Sequence, residues 1–296
     1  MREGPITEQR NERTRDLDAL PTREILRLMN EEDARVAPAV AACLDDVGRA
    51  VEGIVERFRR GGRLLYIGAG TSGRLGVLDA AEAPPTFGVP REMVVGVIAG
   101  GPEALARSIE GAEDDVAAGG RALDDLGVSS RDAVVGISAG GRTPYVRGAL
   151  ERARALGAFC VALTCNATAP IVAGVDVIIA PQVGPEVVAG STRLKSGTAE
   201  KLVLNMLTTA AMVRLGKVYE NLMVDLRATS AKLRERALRI LRETTGADEA
   251  RCRATLEATE WSLKPAILML RAGVDRAEAE RRLAAAQGSL RQALGE

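Results

Sequence analysis

Between residues 22 and 60, apolar side chains recur every three or four positions. Val40, Leu44, Val47, Val51 and Ile54 fall on one stripe, and the stretch predicts two amphipathic helices. From Arg63 the period changes. Short apolar runs appear at 64–70 (LLYIGAG), 93–100 (MVVGVIAG), 133–140 (AVVGISAG), 159–165 (FCVALTC) and 176–182 (DVIIAPQ), each followed by a helical or loop segment. Runs apolar on both faces and separated by helices predict a parallel sheet covered on both sides. Three of them end in small residues, where ligands sit in such folds, beyond the carboxyl ends of the strands. From about Lys195, KSGTAEKLVLNMLTTAAMVRLG predicts a long, largely buried helix. Beyond residue 230 only helical signals remain: AKLRERALRILRETT, DEARCRATLEATEWS and DRAEAERRLAAAQ are amphipathic and charged. Gly246 and Gly273 stand as stops, and Asp275 with Glu278 resembles a capping box. The expected organisation is a helical arm over 1–60, an α/β domain over 61–228 and a small helical domain over 229–296.

Composition narrows the picture. Of 296 residues, 46% are apolar but only 2% aromatic, so the core must be built from Ala, Val, Leu and Ile. Forty basic residues balance forty acidic ones, with no run of Lys or Arg, which argues against nucleic acid or an anionic membrane as the main partner. Residues 155–174 carry no charge, but Cys-Asn-Ala-Thr-Ala-Pro in their middle marks a buried strand followed by a loop, not a membrane span. The first twenty residues are too charged for a signal peptide. Cys43, Cys160, Cys165 and Cys252 show no CxxC pairing and read as reduced, mostly buried thiols of a cytoplasmic protein, not as a metal site. Zero histidines is the most informative number. A serine–histidine triad and histidine-ligated zinc are excluded, and any general acid or base must be a carboxylate of raised pKa or a Lys, Cys or Tyr of lowered pKa.

The stretch 64–86, LLYIGAGTSGRLGVLDAAEAPPT, runs from a strand into glycines and then into a short helix expected to stop at Pro84-Pro85. Residues 68–73 match G-x-G-x-x-G. Yet the next strand ends in IAGG with no acid for a ribose hydroxyl, and Arg74-Leu75 replaces the Lys-Ser/Thr of a P-loop. What remains is a helix amino terminus with free amides, the hydroxyls of Thr71 and Ser72, and Arg74 nearby, which suits a single phosphate monoester. SAGGRTP (138–144), where Thr143-Pro144 makes an N-cap and first helical position, and AGSTRLKSGT (189–198) repeat the hydroxyl- and glycine-rich pattern.

GAGTSGRLGVLDAAEAPPT, VIAGG, IEGAEDD, GRTPY and GSTRLKSGTAEKLVLNML together closely resemble the N-acetylmuramic acid 6-phosphate etherase family. TEQRN, LPTREILRLMNEED and KVYENLMVDLRATSAKL fit the same family, so the resemblance extends over essentially the whole chain. It implies a sugar isomerase (SIS) fold: a Rossmann-like sandwich whose five-stranded parallel sheet is flanked by helices, with N-terminal helices packed on it and a small C-terminal helical bundle. It also implies a cytoplasmic homodimer with sites near the subunit interface, acting on a phosphorylated amino sugar without cofactor or metal. The implied reaction yields N-acetylglucosamine 6-phosphate and D-lactate during cell-wall recycling. The family's two functional acids carry over to Glu82 and Glu113, and its phosphate loop to Thr71, Ser72 and Gly73. Gly70, Arg74, Ser138, Gly141, Thr143, Ser191, Thr192 and Lys195 complete the expected substrate-binding set. Many relatives have a serine where this chain has Gly140, so Ser138, Thr143 or backbone amides are expected to compensate.

The chemistry asks for two proton-transfer groups. In the ring-opened sugar, carbon 2 lies beside an aldehyde; one base removes its proton, and one acid protonates the lactate oxygen leaving carbon 3. Glu82, at the expected end of a short apolar helix, is assigned as the acid; Glu113, beside Glu110, Asp114 and Asp115, as the base. Ser191 and Thr192 are placed to stabilise the aldehyde oxygen. Without the resemblance, both glutamates would read as solvated surface acids. Lys195, Lys201 and Arg193 read equally as ligand contacts or ion pairs, Trp261 as an anchor of the helical appendage, and Tyr145 as packing under its loop. The competing functions are a sugar-phosphate isomerase on the same fold and a non-catalytic sugar-phosphate-binding regulator.

Overall fold

The computed structural model describes residues 6–226 and 230–296. The chain packs as two compact units. One holds the described residues up to Ala81 with Arg91–Thr208; the other joins Glu82–Pro90 to Thr209–Glu296.

The first unit is built on five parallel strands, each within one of the expected apolar runs: β1 (Leu64–Gly68), β2 (Val94–Ile98), β3 (Ala133–Ile137), β4 (Phe159–Leu163) and β5 (Val177–Ile179). Their order is β2-β1-β3-β4-β5. Every residue of β1 and β3 is buried, as a sheet covered on both faces requires. Gly68 pairs with Ile98 on one side and Ile137 on the other, so the central strands end level. The order reverses between β1 and β3, and the loops leaving these two strands diverge. That divergence opens a crevice at their carboxyl ends.

Helices α1 (Thr22–Asp33), α2 (Val36–Ala41) and α3 (Leu44–Arg59) occupy the region where two were expected. Pro38 has no N–H to bond four residues back, so the helical ladder breaks after α1 and restarts. Then come α4 (Gly70–Phe87), α5 (Val116–Asp125), α6 (Pro144–Ala155) and α7 (Lys195–Arg214). Leu65 and Ile67 share a core with Leu123, Val146 and Ala149 of α5 and α6. Tyr66 points to the other face by the alternation of a strand. Its hydroxyl donates to Asp79 of α4 (3.0 Å), which also accepts from Asn205 (2.7 Å) and Thr208 (3.3 Å) of α7. Burial pushes the Asp79 carboxyl above its ordinary range, and these donors hold it back. At the opposite ends of the strands, Asp132 accepts from the Arg63 guanidinium (3.1 Å) and from the Arg63 and Ser129 amides (2.9 Å each).

The sequence reading placed the end of α4 at Pro84-Pro85; the helix in fact continues to Phe87. The prolines cost it two ladder bonds one turn from its end, and the Gly88 N–H (φ +67°) still closes onto the Pro84 carbonyl at 2.9 Å. Glu82 therefore lies inside the helix, not at its last residue, and it is exposed.

One buried ion pair fastens the N-terminal helices to the sheet domain. Lys195 Nζ, at the first residue of α7, lies 2.6 Å from Glu32 Oε2 at the end of α1, and each side chain is only 1% exposed. Arg13 reaches the other carboxylate oxygen at 2.6 Å. Burial alone would raise the Glu32 pKa, but the Lys195 ammonium and Arg13 outweigh it and hold the carboxyl below its ordinary range.

The second unit contains the hairpin β6 (Val218–Tyr219) and β7 (Leu222–Met223) and five helices: α8 (Ala231–Thr245), α9 (Glu249–Ala258), α10 (Leu263–Ala272), α11 (Arg276–Ala285) and α12 (Leu290–Leu294). Leu238, Leu241, Cys252, Leu256, Ile267 and Leu283 form its core, with Trp261 packed against it. Gly246 (φ +68°) and Gly273 (φ +64°) end their helices as expected. Asp275 caps the Glu278 amide at 2.8 Å, but the Glu278 carboxylate pairs with Arg282 (2.6 Å) instead of completing a capping box. All four cysteines are free and buried.

Removing one partner of the buried pair strands the other charge. Lys195→Met is expected to lower unfolding free energy by about 3–5 kcal/mol. The double substitution Lys195→Met, Glu32→Leu should recover most of that loss in urea titrations.

Candidate active site

The first glycine loop connects β1 to α4 with no spare room. A Cβ on Gly73 would lie 2.8 Å from the Gly68 carbonyl oxygen and 2.7 Å from Ile98. Gly73 is thus a packing residue that seats the first turn of α4 on the strand. Gly70, at φ +53°, supplies the left-handed turn that starts the helix.

Two of the expected ligand groups of the first unit face inward. Ser72 Oγ donates to Glu200 Oε1 of α7 at 2.8 Å. Glu200 is 1% exposed, and its second oxygen has no hydrogen-bond partner among the described residues. Burial, reinforced by the nearby Glu186 and opposed by the Ser72 hydroxyl, pushes the Glu200 carboxyl up to about 8. Glu186 accepts the amides of Lys195 (3.0 Å) and Ser196 (2.9 Å), placing a carboxylate on the amino terminus of α7. The sequence reading expected Ser72 to hold substrate and left Lys195 open between a substrate contact and an ion pair. The structure commits the first to Glu200 and the second to Glu32, both below the surface. The Thr71 methyl packs toward Gly197. Ser191 donates its amide to Val188 and lines neither cleft described below.

The second loop faces a cavity. Ser138 Oγ and Thr143 Oγ1 are 2.8 Å apart, and Ser138 Oγ also accepts the Gly141 N–H at 3.1 Å. Gly141 needs to be glycine: its φ is +68°, and a Cβ would meet Ala169 at 2.2 Å. Thr143 precedes α6, whose first residue is Pro144. The Tyr145 amide in the first turn of α6 donates to the Glu113 carbonyl at 2.9 Å. Asp115, two residues on, caps α5 through the Ala118 amide (2.8 Å). The acidic loop is therefore held by a backbone bond at Glu113 and a side-chain cap at Asp115, with Glu113 itself exposed.

Glu113 lines two neighbouring clefts. One, of 420 Å³, is bordered by Ser138, Gly140, Thr143, Thr192 and Arg142, together with Thr7, Glu8 and Asp114. The other, of 330 Å³, is bordered by Gly70, Arg74, Ala99, Ser108 and Glu110. Both fall in the size range of small-molecule sites. Arg74 spends its guanidinium on the Leu105 (3.1 Å) and Arg107 (3.2 Å) carbonyls and so shapes the second cleft's rim. Glu82 belongs to the second unit. The expectation that it ends a short apolar helix does not hold, because α4 runs on past the prolines, and its side chain is exposed.

Sequence reasoning passed over Thr7, Glu8, Glu32, Glu186 and Glu200. A signal existed for Glu200, a lone acid inside the apolar run of α7. For the N-terminal arm the TEQRN motif gave a family signal but not its place beside the 420 Å³ cleft, which is a long-range contact. No group of acids and cysteines among the described residues is arranged to hold a metal ion.

Comparison with known proteins adds a family. A model described as the glucokinase regulatory protein N-terminal SIS domain matches residues 46–154, and the SIS domain model matches 115–210. The chain is 56% identical over 289 residues to an N-acetylmuramic acid 6-phosphate etherase of Cronobacter sakazakii, covering 98% of this chain and 97% of that one. It is 55% identical, with the same coverage, to the enzyme of that name from Salmonella typhimurium. Among solved structures, a phosphoheptose isomerase from Neisseria gonorrhoeae superposes with a TM-score of 0.50 at 20% identity, over 64% of this chain and 98% of that one. That last likeness bears on the fold alone.

Glu200 gives the unit a pH signature. Its pKa is raised from an ordinary 4.5 to about 8, so the unfolded chain loses this proton first as pH rises. The stability from the buried neutral acid is whole below pH 4.5, declines by up to about 1.4 kcal/mol per pH unit, and is gone above about 8. Chemical denaturation between pH 5 and 8 should show this slope, and Glu200→Gln should remove it.

Proposed function

The chain belongs to the N-acetylmuramic acid 6-phosphate etherase family, and from that membership we propose that it cleaves the D-lactyl ether of N-acetylmuramic acid 6-phosphate. The products are N-acetylglucosamine 6-phosphate and D-lactate, as cell-wall amino sugar recycling requires. The observation that carries the reading is identity above half over nearly the full length of enzymes bearing that name. A cleft at the carboxyl ends of β1 and β3, edged by Glu113 and by hydroxyls at the start of α6, supports it.

A secondary ether is a poor target for displacement, so elimination is the accessible route. Ring opening exposes the C1 aldehyde and acidifies the C2 proton. Glu113 takes that proton; Glu82 protonates the ether oxygen as the C3–O bond breaks and lactate departs. Water then adds at C3 of the unsaturated aldehyde, and a proton returns to C2. Nothing in the sequence supplies a histidine for either transfer, and two carboxyls suffice. Both are exposed on the single chain, so bound substrate and a second subunit complete the site around them. The protein works as a cytoplasmic homodimer on this reading.

The match to a regulatory-protein domain over 46–154 favours one second reading, a sugar-phosphate-binding regulator without catalysis. Incubating the pure protein with N-acetylmuramic acid 6-phosphate and assaying D-lactate separates the two. Lactate release supports the etherase; binding without release supports the regulator. Glu113→Gln and Glu82→Gln should each lower kcat by about 10²–10⁴-fold, with folding intact by circular dichroism. Normal lactate release by either variant would remove that residue from the chemistry.

A further inference from the structure

Thr7 sits in the N-terminal arm, where nothing in the proposed chemistry has used it. It is 1% exposed, and its Oγ1 has no hydrogen-bond partner among the described residues. Buried hydroxyls are ordinarily paired, so this one calls for an explanation. The backbone holds it in place: the Thr7 carbonyl accepts the Gly190 N–H at 3.1 Å. The side chain borders the 420 Å³ cleft. Its Oγ1 stands 3.3 Å from the point where a Cβ on Gly140 would sit. A side chain at 140 would project into the space that the Thr7 hydroxyl borders, and glycine leaves that space to the arm.

The neighbouring hydroxyls show what is still needed there. Ser138 and Thr143 are bonded to each other, which consumes one of their two protons and leaves one O–H to donate. Thr7 adds a further unspent hydroxyl proton to that one, beside the amino terminus of α6, a twelve-residue helix. Donors gathered at a helix amino terminus select an anion. Glu8, Glu113 and Asp114 border the same cleft against Arg142 alone, so a bound anion depends heavily on each donor it reaches.

Resting on the etherase reading, we infer that Thr7 donates its hydroxyl to the substrate phosphate and so makes the N-terminal arm part of the binding site. The arm supplies from a distance in sequence the donor that Gly140 does not. Calorimetric titration with inorganic phosphate tests this without turnover. Thr7→Val should weaken phosphate about tenfold or more and raise KM similarly, with kcat within about twofold. Thr7→Ala combined with Gly140→Ser moves the hydroxyl from the arm to the loop, and should return phosphate affinity to within about threefold of wild type. A purely structural role for Thr7 would not be rescued in that way. Wild-type phosphate affinity in Thr7→Val would overturn the inference. So would a Thr7→Ala, Gly140→Ser protein as weak as Thr7→Ala alone, which decides the matter if the valine variant does not fold. Failure of the etherase reading would look different: no lactate from the wild-type protein at any phosphate affinity.

Discussion

Lys195 and Glu32 meet 2.6 Å apart with almost no solvent around either, 163 residues apart in sequence. Neither charge could be left there alone, so the pair commits the end of α1 to the start of α7. Much of the first unit follows from that commitment. Glu186 holds the first amides of α7, and the same helix carries Glu200 to Ser72 and Asn205 to Asp79. The arm ahead of α1 is carried along, so that Thr7 meets Gly190 and borders the cleft beside α6. The crevice itself comes from the sheet, whose strand order reverses between β1 and β3. The ion pair decides which distant segment helps to line it.

Carboxyl groups in this protein divide by depth. Glu200 is buried and shifted far enough to be protonated over much of the neutral range, which makes it a neutral donor or acceptor under the first glycine loop. Glu113 and Glu82 are exposed on the isolated chain and open to a substrate. In a chain without histidine this is a workable division. The deep acid organises the loop, while Glu113 and Glu82 stay at the surface. The Tyr145 N–H donates to the Glu113 carbonyl and the Asp115 carboxylate accepts the Ala118 N–H, which fixes the acidic loop without burying Glu113.

The strands and the two loops that build the clefts were legible because their signals are local. Apolar runs apolar on both faces became β1 to β5, and Thr143-Pro144 became the start of α6. Three features were not legible. Pro84 and Pro85 read as a stop, yet the last turn of a helix tolerates missing donors, and α4 continued to Phe87. Ser72 read as a ligand group, and Lys195 as either a ligand group or half of an ion pair, because hydroxyls and lysines on glycine-rich loops usually face solvent. Their buried partners, Glu200 and Glu32, lie 128 and 163 residues away. Thr7 opens the TEQRN motif, but nothing local places its hydroxyl beside the empty side-chain position at Gly140.

Isotope labelling tests the elimination most directly. The reaction would be run in D₂O enriched in ¹⁸O-water, and both products analysed by mass spectrometry and NMR. The account requires deuterium at C2 and ¹⁸O at C3 of the N-acetylglucosamine 6-phosphate, with the lactate keeping its original ether oxygen. Solvent oxygen in the lactate, or a C2 position that retains its protium, would contradict it.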